Sequence, residues 1–310
     1  ESVWVAWFQL VVGEQFARLA ERVGDASAAV RARTQGEELR KAIEANAWDG
    51  AWYRRAYFDD GTPLGSSTND ECQIDSIAQS WAVIAGGDRE RAIQAMDAVS
   101  ERLLKPADRL ILLFAPPFDD GPLRPGYIKG YLPGVRENGG QYTHAALWVI
   151  KAFAELGRGD AAHAALNVIN PIAMPPAHYR GEPYVLAGDV YSRPPHVGRA
   201  GWTWYTGSSA WLYRIGLEDL LGLRRVGHRL SFDPCIPAAW PGFRMTYRFG
   251  GTLYKIEISN RHGVERGVAT LTLDGIAQNS QSVVCADDGH EHAIRVEMGP
   301  AHPGAVIASA

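Results

Sequence analysis

Cysteine is scarce in this chain. Cys72, Cys235 and Cys285 are the only three in 310 residues, odd in number and far apart. Their spacing excludes a disulfide framework and a zinc-binding pattern, and it reads as buried thiols in a reducing compartment. Excess positive charge is lacking too. Lys and Arg number 31 against 35 Asp and Glu, a net charge of −4, so the basic footprint of a nucleic-acid partner is missing. The longest apolar opening, residues 3–12, is too short and too amphipathic to span a membrane, and it has no signal-peptide pattern. A Gly-Lys-Ser/Thr phosphate loop is absent, as is any repeat of fixed solenoid period. His290-Glu-His292 is a conceivable metal pair on a strand, but alternation on an exposed face explains it more simply. No metal and no bound cofactor is expected.

Aromatic residues are abundant, with 10 Trp and 12 Tyr, and several fall in Gly- and Pro-rich loops where exposure is expected. Apolar residues at helical spacing (Trp4, Trp7, Phe8, Val11, Val12, Phe16, Leu19) predict a helix over 3–23. The chain enters it at once from Glu1, which reads as a helix cut into near its beginning and so as part of a longer protein. A second helix is predicted over 26–45, then a long aromatic loop over 48–65 in which Asp59-Asp60-Gly61 makes a turn. A helix resumes near Asp70, with Asp70-Glu71 suiting its start. Gly86-Gly87 ends it, and Asp88 caps the next, which runs to about Leu104. Further helices are predicted over 140–156, 159–168 and 202–221, separated by long loops over 105–137 and 170–200.

These are helix pairs whose connections alternate short and long. Antiparallel helix hairpins with elaborate loops at one end produce that pattern, and an (α/α) toroid is one such arrangement, its loops crowding one rim to build a cleft. After Gly222 the pattern changes to period two, at 230–234, 243–249, 252–259 and 268–274. The expectation is a mainly α chain in two parts: residues 1–222 helical with long rim loops, and residues 223–310 a small C-terminal β-layer ending in a frayed tail from Gly299.

Two polar stretches carry the candidate chemistry. Residues 126–144 (GYIKGYLPGVRENGGQYTH) place Arg136, Glu137, Asn138 and His144 where a loop enters the apolar run 145–150. Such a junction offers free backbone N–H groups and a positive dipole end to an anion. Arg136 and His144 add donors, Glu137 a hydrogen-bonding carboxylate, and the tyrosines, Tyr142 among them, flat faces for a sugar ring. A capped helix start under a surface loop is the plainer alternative. Residues 198–211 set Trp204, Thr206, Gly207, Ser208 and Ser209 at another predicted helix start, which suits phosphate or serves simply as an N-cap. Glu137, Asp75, Asp59, Asp60 and Asp189 are the candidate carboxylates, each with a cap, turn or ion pair as its simpler role.

Residues 135–144 (VRENGGQYTH) and 201–211 (GWTWYTGSSAW) resemble the inverting glycoside phosphorylases of glycoside hydrolase family 94, and in particular the phosphorylase-like C-terminal domain of cyclic β-1,2-glucan synthases. Residues 1–4, 73–82, 126–131, 182–185, 189–192 and 233–237 are similar in the same order, so the likeness covers roughly residues 1–260. It implies an (α/α)6 barrel, of which this chain would be the C-terminal half, followed by a β-layer. It implies attack of inorganic phosphate, a co-substrate, on an anomeric carbon with inversion. It assigns phosphate to His144, Thr206 and Gly207, and sugar hydroxyls to Glu137. Arg136, Tyr142 and Trp204 are further candidates for the sugar.

The family's general-acid Asp lies shortly before the run matched by residues 1–4, so no catalytic acid is expected here. Trp48-Asp49-Gly50, after the first helix pair, is no substitute. The expected partners are a β-glucan oligosaccharide, phosphate and the preceding part of a parent protein. A half barrel exposes apolar helix faces, so either association into a homodimer or poor solubility is in keeping with it. The resemblance implies a cytoplasmic soluble domain tethered to an inner-membrane protein. A glycosidase using water, and a glycan-binding or scaffolding module without catalysis, are the alternative readings.

Overall fold

The computed structural model describes residues 1–182, 185–204 and 207–300. The chain divides into two compact units, Glu1–Ala152 with Ala165–Trp211, and Phe153–Ala164 with the residues from Leu212 onward. It is mainly helical, with a small C-terminal β-region. Among the described residues no helix is long and apolar enough to cross a membrane. No group of three or more His, Cys, Asp or Glu among them could hold a metal ion.

The first unit opens with a helical hairpin, α1 (Val3–Arg22) and α2 (Ala26–Asn46). Asp25 starts α2 by accepting from Ala28 N at 2.9 Å. Ala17, Ala20 and Ala29 form the seam, and their small side chains let the two backbones approach closely. α1 buries Trp7, Leu10, Ala17 and Ala20, whereas Phe8, Val12, Phe16 and Leu19 are exposed. The apolar stripe read from the sequence is therefore wider than the face that the unit covers. The uncovered part lines a groove of ≈570 Å³ with Ala28 and Ala32. The predicted loop over 48–65 folds back as a short ribbon, β1 (Ala56–Tyr57) on β2 (Pro63–Leu64).

The next helix, α3 (Ser76–Ile84), begins six residues later than Asp70. The cap is Asp75, whose Oδ1 accepts from Ile77 N at 2.8 Å and Ala78 N at 3.3 Å. Its other oxygen pairs with Arg55. Glu71 accepts instead from the Asp119 and Gly121 amides, each at 2.8 Å, so residues 70–71 anchor a loop. The two residues ahead of α3 form β3 (Ile74–Asp75). α4 (Arg89–Arg102) starts at Asp88, as its capping side chain predicts. The loop that follows contains β4 (Leu104–Lys105), β5 (Leu110–Ile111) and β6 (Phe114–Ala115). β4 pairs with β5 and β3 with β6.

β7 (Gln141–Tyr142) leads into α5 (Thr143–Glu155), and α6 (Gly159–Ile169) follows. The long third loop holds a four-residue helix, α7 (Pro176–Tyr179), and β8 (Asp189–Val190), which pairs antiparallel with β7. The last helix, α8 (Ser208–Arg214), continues as a π turn over Ile215–Leu220. It does not begin at Trp202 as the apolar pattern suggests. Residues 201–203 are not helical; the amides of Gly201 and Trp202 bond to Asp189 rather than to a preceding helical turn.

The second unit holds β9 (Leu223–Val226), β10 (Arg229–Phe232), β11 (Gly242–Phe249), β12 (Thr252–Ser259), β13 (Val268–Leu273), β14 (Ile276–Ala277), β15 (Ser282–Val284) and β16 (Glu291–Met298). One sheet has the order β15-β10-β9, the other β11-β12-β16-β13-β14. In the larger sheet β12 and β16 run parallel and the remaining pairs antiparallel. Tyr254, Ile256 and Ile258 alternate inward on β12 and join Ile294, Val296 and Met298 of β16 in the core. Arg266 pairs with Asp233 at 2.5 Å and donates to the carbonyls of Ala154 and Glu155 at 3.2 and 2.7 Å. A cation thus caps the C-terminal end of α5, where the last carbonyls lack helical partners.

Candidate functional site

A buried amide sets the loop that precedes α5. Asn138 is fully buried. Its Oδ1 accepts from Phe118 N at 2.8 Å, and its Nδ2 donates to the carbonyls of Phe118 and Tyr131 at 2.9 and 2.7 Å. Its own main chain closes a tight turn, Gly134 N to Asn138 O at 2.7 Å and Asn138 N to Val135 O at 3.0 Å. Arg136 sits at the tip with φ +51°, a left-handed conformation that a non-glycine residue adopts only when its surroundings require it. Gly139 must be glycine: φ is +77°, and a Cβ would stand 2.8 Å from Pro117. Asn138 therefore shapes the loop from within, and the residues it presents are Arg136 and Glu137.

Those two are adjacent and oppositely charged, with Arg136 Nε 3.6 Å from Glu137 Oε2. The guanidinium also lies over the Tyr131 ring, 5.2 Å from its centroid. Glu137 Oε2 is buried and accepts no hydrogen bond, an open acceptor beside a cation. Tyr142 lies opposite Asp189 across the β7–β8 pair. Burial raises the Tyr142 phenol; Glu137 adds to the rise and Arg136 opposes it. Burial likewise raises the Asp189 carboxyl, while the Trp202 amide and Arg136 lower it and Glu137 raises it further. Arg136, Glu137, Tyr142 and Asp189 thus share one electrostatic neighbourhood.

His144 stands in the first turn of α5, half-buried. Its ring stacks on Tyr142 with centroids 6.1 Å apart, and meets Trp148, one helical turn on, edge to face at 6.2 Å. Burial pushes His144 below its ordinary value. Gly207 faces it closely, for a Cβ added there would lie 3.0 Å from His144 Nε2. The lack of a side chain at Gly207 is what lets its backbone come this close to the imidazole. Trp204 is on the same segment, three residues ahead of Gly207, with its indole 53% exposed. Thr206, paired with Gly207 in the sequence reading, lies outside the described residues.

Sequence reasoning missed what lies beneath His144. Trp148 packs against Trp4 at 5.9 Å, Trp81 at 5.3 Å and Trp211 at 5.9 Å, joining α1, α3, α5 and α8. The indole N–H groups of Trp4, Trp81 and Trp148 are buried without an oxygen partner. Trp81 meets Trp4 and Trp148 edge to face, and Trp148 meets Trp211 in the same way, the arrangement that aromatic pairs prefer. The signal was present as a Trp in each of four helices, but periodicity does not say that four helices converge. The role of Asp189 was missed too. It accepts from Trp202 N through Oδ1 at 2.9 Å, while Oδ2 is enclosed and unpartnered.

The family described as "Glycosyl hydrolase 94 superfamily, catalytic domain" matches residues 1–222, and "Glycosyl hydrolase family 65, C-terminal domain" matches residues 223–269. The chain is 47% identical over 264 residues to the cyclic beta-(1,2)-glucan synthase NdvB of Rhizobium meliloti (strain 1021), covering 83% of this chain and 9% of that protein. It is 32% identical over 304 residues to the solabiose phosphorylase of Paenibacillus borealis, covering 96% of this chain and 39% of the relative. The chain therefore spans well under half the length of either. Among solved structures a sialidase superposes with a TM-score of 0.53 at 13% identity, over 79% of this chain and 22% of the other, a likeness of fold. With its catalytic-domain match running through both polar stretches, the chain belongs to the glycosyl hydrolase 94 superfamily.

Proposed function

We propose that this chain carries the phosphate- and sugar-binding part of a β-glucoside phosphorylase-type site acting on β-glucans, with β-1,2 linkages the first candidate. The observation that carries the reading is His144 Nε2 facing the bare backbone of Gly207. The imidazole donates to a phosphate oxygen from beside the bare Gly207 main chain, and Thr206, the other member of the family's pair, lies outside the described residues. Glu137, open at Oε2, accepts from sugar hydroxyls; Arg136 holds that carboxylate and adds donors. Tyr142 and the exposed Trp204 offer flat faces to a sugar ring.

In this reading an oxygen of phosphate forms the new bond to the anomeric carbon from the face opposite the leaving group. The glycosidic C–O bond breaks, and its oxygen takes a proton from a general acid. That acid is none of the residues gathered here; the resemblance assigns it to a stretch ahead of Glu1. The family's (α/α)6 barrel would then hold residues 1–222 as one part of its ring of helices. General acid catalysis contributes roughly 10²–10⁴-fold, so these 310 residues alone are expected to turn over little or not at all.

Product analysis separates the readings. A phosphorylase releases sugar 1-phosphate from a β-1,2-gluco-oligosaccharide only when phosphate is present. A hydrolase releases free sugar regardless of phosphate, and a glycan-binding module releases neither. Cleavage by the longer natural protein that ignores phosphate would refute the proposal.

A further inference from the structure

We infer that Asp189 is the positioning residue of this site, a buried clasp that fixes residues 199–204 and thereby where Gly207 stands against His144. The inference rests on the reading of that pair as an anion site, and it deepens it.

Asp189 is 3% exposed, and both its main chain and its side chain hold the facing segment. Its carbonyl accepts from Gly201 N at 2.9 Å, and its Oδ1 accepts from Trp202 N at 2.9 Å. The preceding residue, Gly188, donates to Trp202 O at 2.6 Å and accepts from Thr143 N at 2.9 Å. Two consecutive residues thus stitch the extended segment on one side and the residue before His144 on the other. The fit is close enough to exclude a methyl group. A Cβ on Gly201 would stand 2.2 Å from Asp189 Oδ2 and 2.6 Å from its carboxyl carbon.

Asp189 Oδ2 is buried without a hydrogen-bond partner and lies against the Gly201 backbone. Burying it without a partner is costly, and Arg136 offsets that cost while Glu137 adds to it. The acceptor that the segment uses is Oδ1, which takes the Trp202 amide. Gly207 lies five residues beyond the bonded Trp202, so loosening the clasp displaces the backbone that faces His144. Misplacement of about 1 Å in such a site typically costs roughly a hundredfold.

The test uses Asp189→Ala, Asp189→Asn, Gly201→Ala and the Asp189→Ala/Gly201→Ala double variant of the whole chain. Two quantities are read: amide hydrogen exchange at Gly201 and Trp202, and the affinity for inorganic phosphate. Asp189→Ala should speed exchange at both amides and weaken phosphate about tenfold or more. Asp189→Asn keeps the acceptor and should restore both to within about threefold. Gly201→Ala should behave like Asp189→Ala, yet add little in the double variant, where the carboxyl it would strike is gone.

His144→Ala should lose phosphate without changing exchange at the two amides. If Asp189→Ala does not fold, Gly201→Ala disturbs the same contact from the other side. Unchanged exchange in Asp189→Ala or in Gly201→Ala overturns the inference, as does Asp189→Asn matching Asp189→Ala in damage. Loss of protection in Asp189→Ala, in a protein whose wild type binds no phosphate, supports the clasp while overturning the anion-site reading.

Discussion

Replacing Gly207 by Ala is the smallest change that should close the proposed anion pocket. The added Cβ would lie 3.0 Å from His144 Nε2 and 3.4 Å from Cε1, so the imidazole or the Gly207 backbone must shift away from the arrangement proposed to bind phosphate. The imidazole has little room to yield, since Tyr142 stacks on it and Trp148 meets it edge to face. A lost hydrogen bond to a charged ligand is worth about 1.5–3 kcal/mol, or roughly 10- to 150-fold in Kd. Calorimetric titration of phosphate into Gly207→Ala should show that loss, while thermal unfolding still shows one cooperative transition of a folded protein. Phosphate binding at wild-type affinity in a normally folded Gly207→Ala would refute the placement of the anion.

Three further outcomes follow from particular side chains. Burial pushes His144 below its ordinary value, so at neutral pH the imidazole is largely uncharged and binding of an anion draws a proton onto it. Sulfate, which does not itself titrate in this range, should bind more tightly as pH falls toward that of His144, and His144→Gln should abolish the dependence. Asn138→Ala removes three hydrogen bonds from a fully buried amide. It should cost roughly 2–4 kcal/mol in denaturant unfolding and displace Glu137; a cost below about 0.5 kcal/mol would contradict the role given to Asn138. In the β-unit, Asp274 and Asp288 hold His292 between them at 2.6 and 3.1 Å and raise it above its ordinary value. Its stabilising contribution is complete below its unfolded value of about 6.5 and is lost as pH rises through the raised folded one. His292→Gln should flatten that decline in chemical unfolding followed across pH.

Where the sequence is legible, one physical signal dominates. α1 announces itself by periodicity and α4 by Asp88 at its start, and β11, β12 and β13 by alternation between turns. His144 is legible because polar residues meet an apolar run at a helix start. Where two signals compete, sequence reading fails. Asp70 and Asp75 are both plausible caps ahead of α3. Asp75 wins because β3 pairs with β6 and fixes the approach, a contact between residues far apart in the chain. The start of α8 reads too early for the same reason, since Asp189 takes the amides of Gly201 and Trp202. Asn138 looks like a ligand-facing residue because Asn is polar, yet it is buried beneath the loop that carries Arg136 and Glu137. Long-range hydrogen bonds of this kind leave no mark in local composition.

Calorimetric titration of inorganic phosphate into the wild-type chain and into His144→Ala, each with and without a β-1,2-gluco-oligosaccharide, tests the proposed site most directly. The site predicts phosphate binding that strengthens when the sugar is present and disappears in His144→Ala. Sugar binding that is indifferent both to phosphate and to His144→Ala would contradict it, and would favour a glycan-binding module.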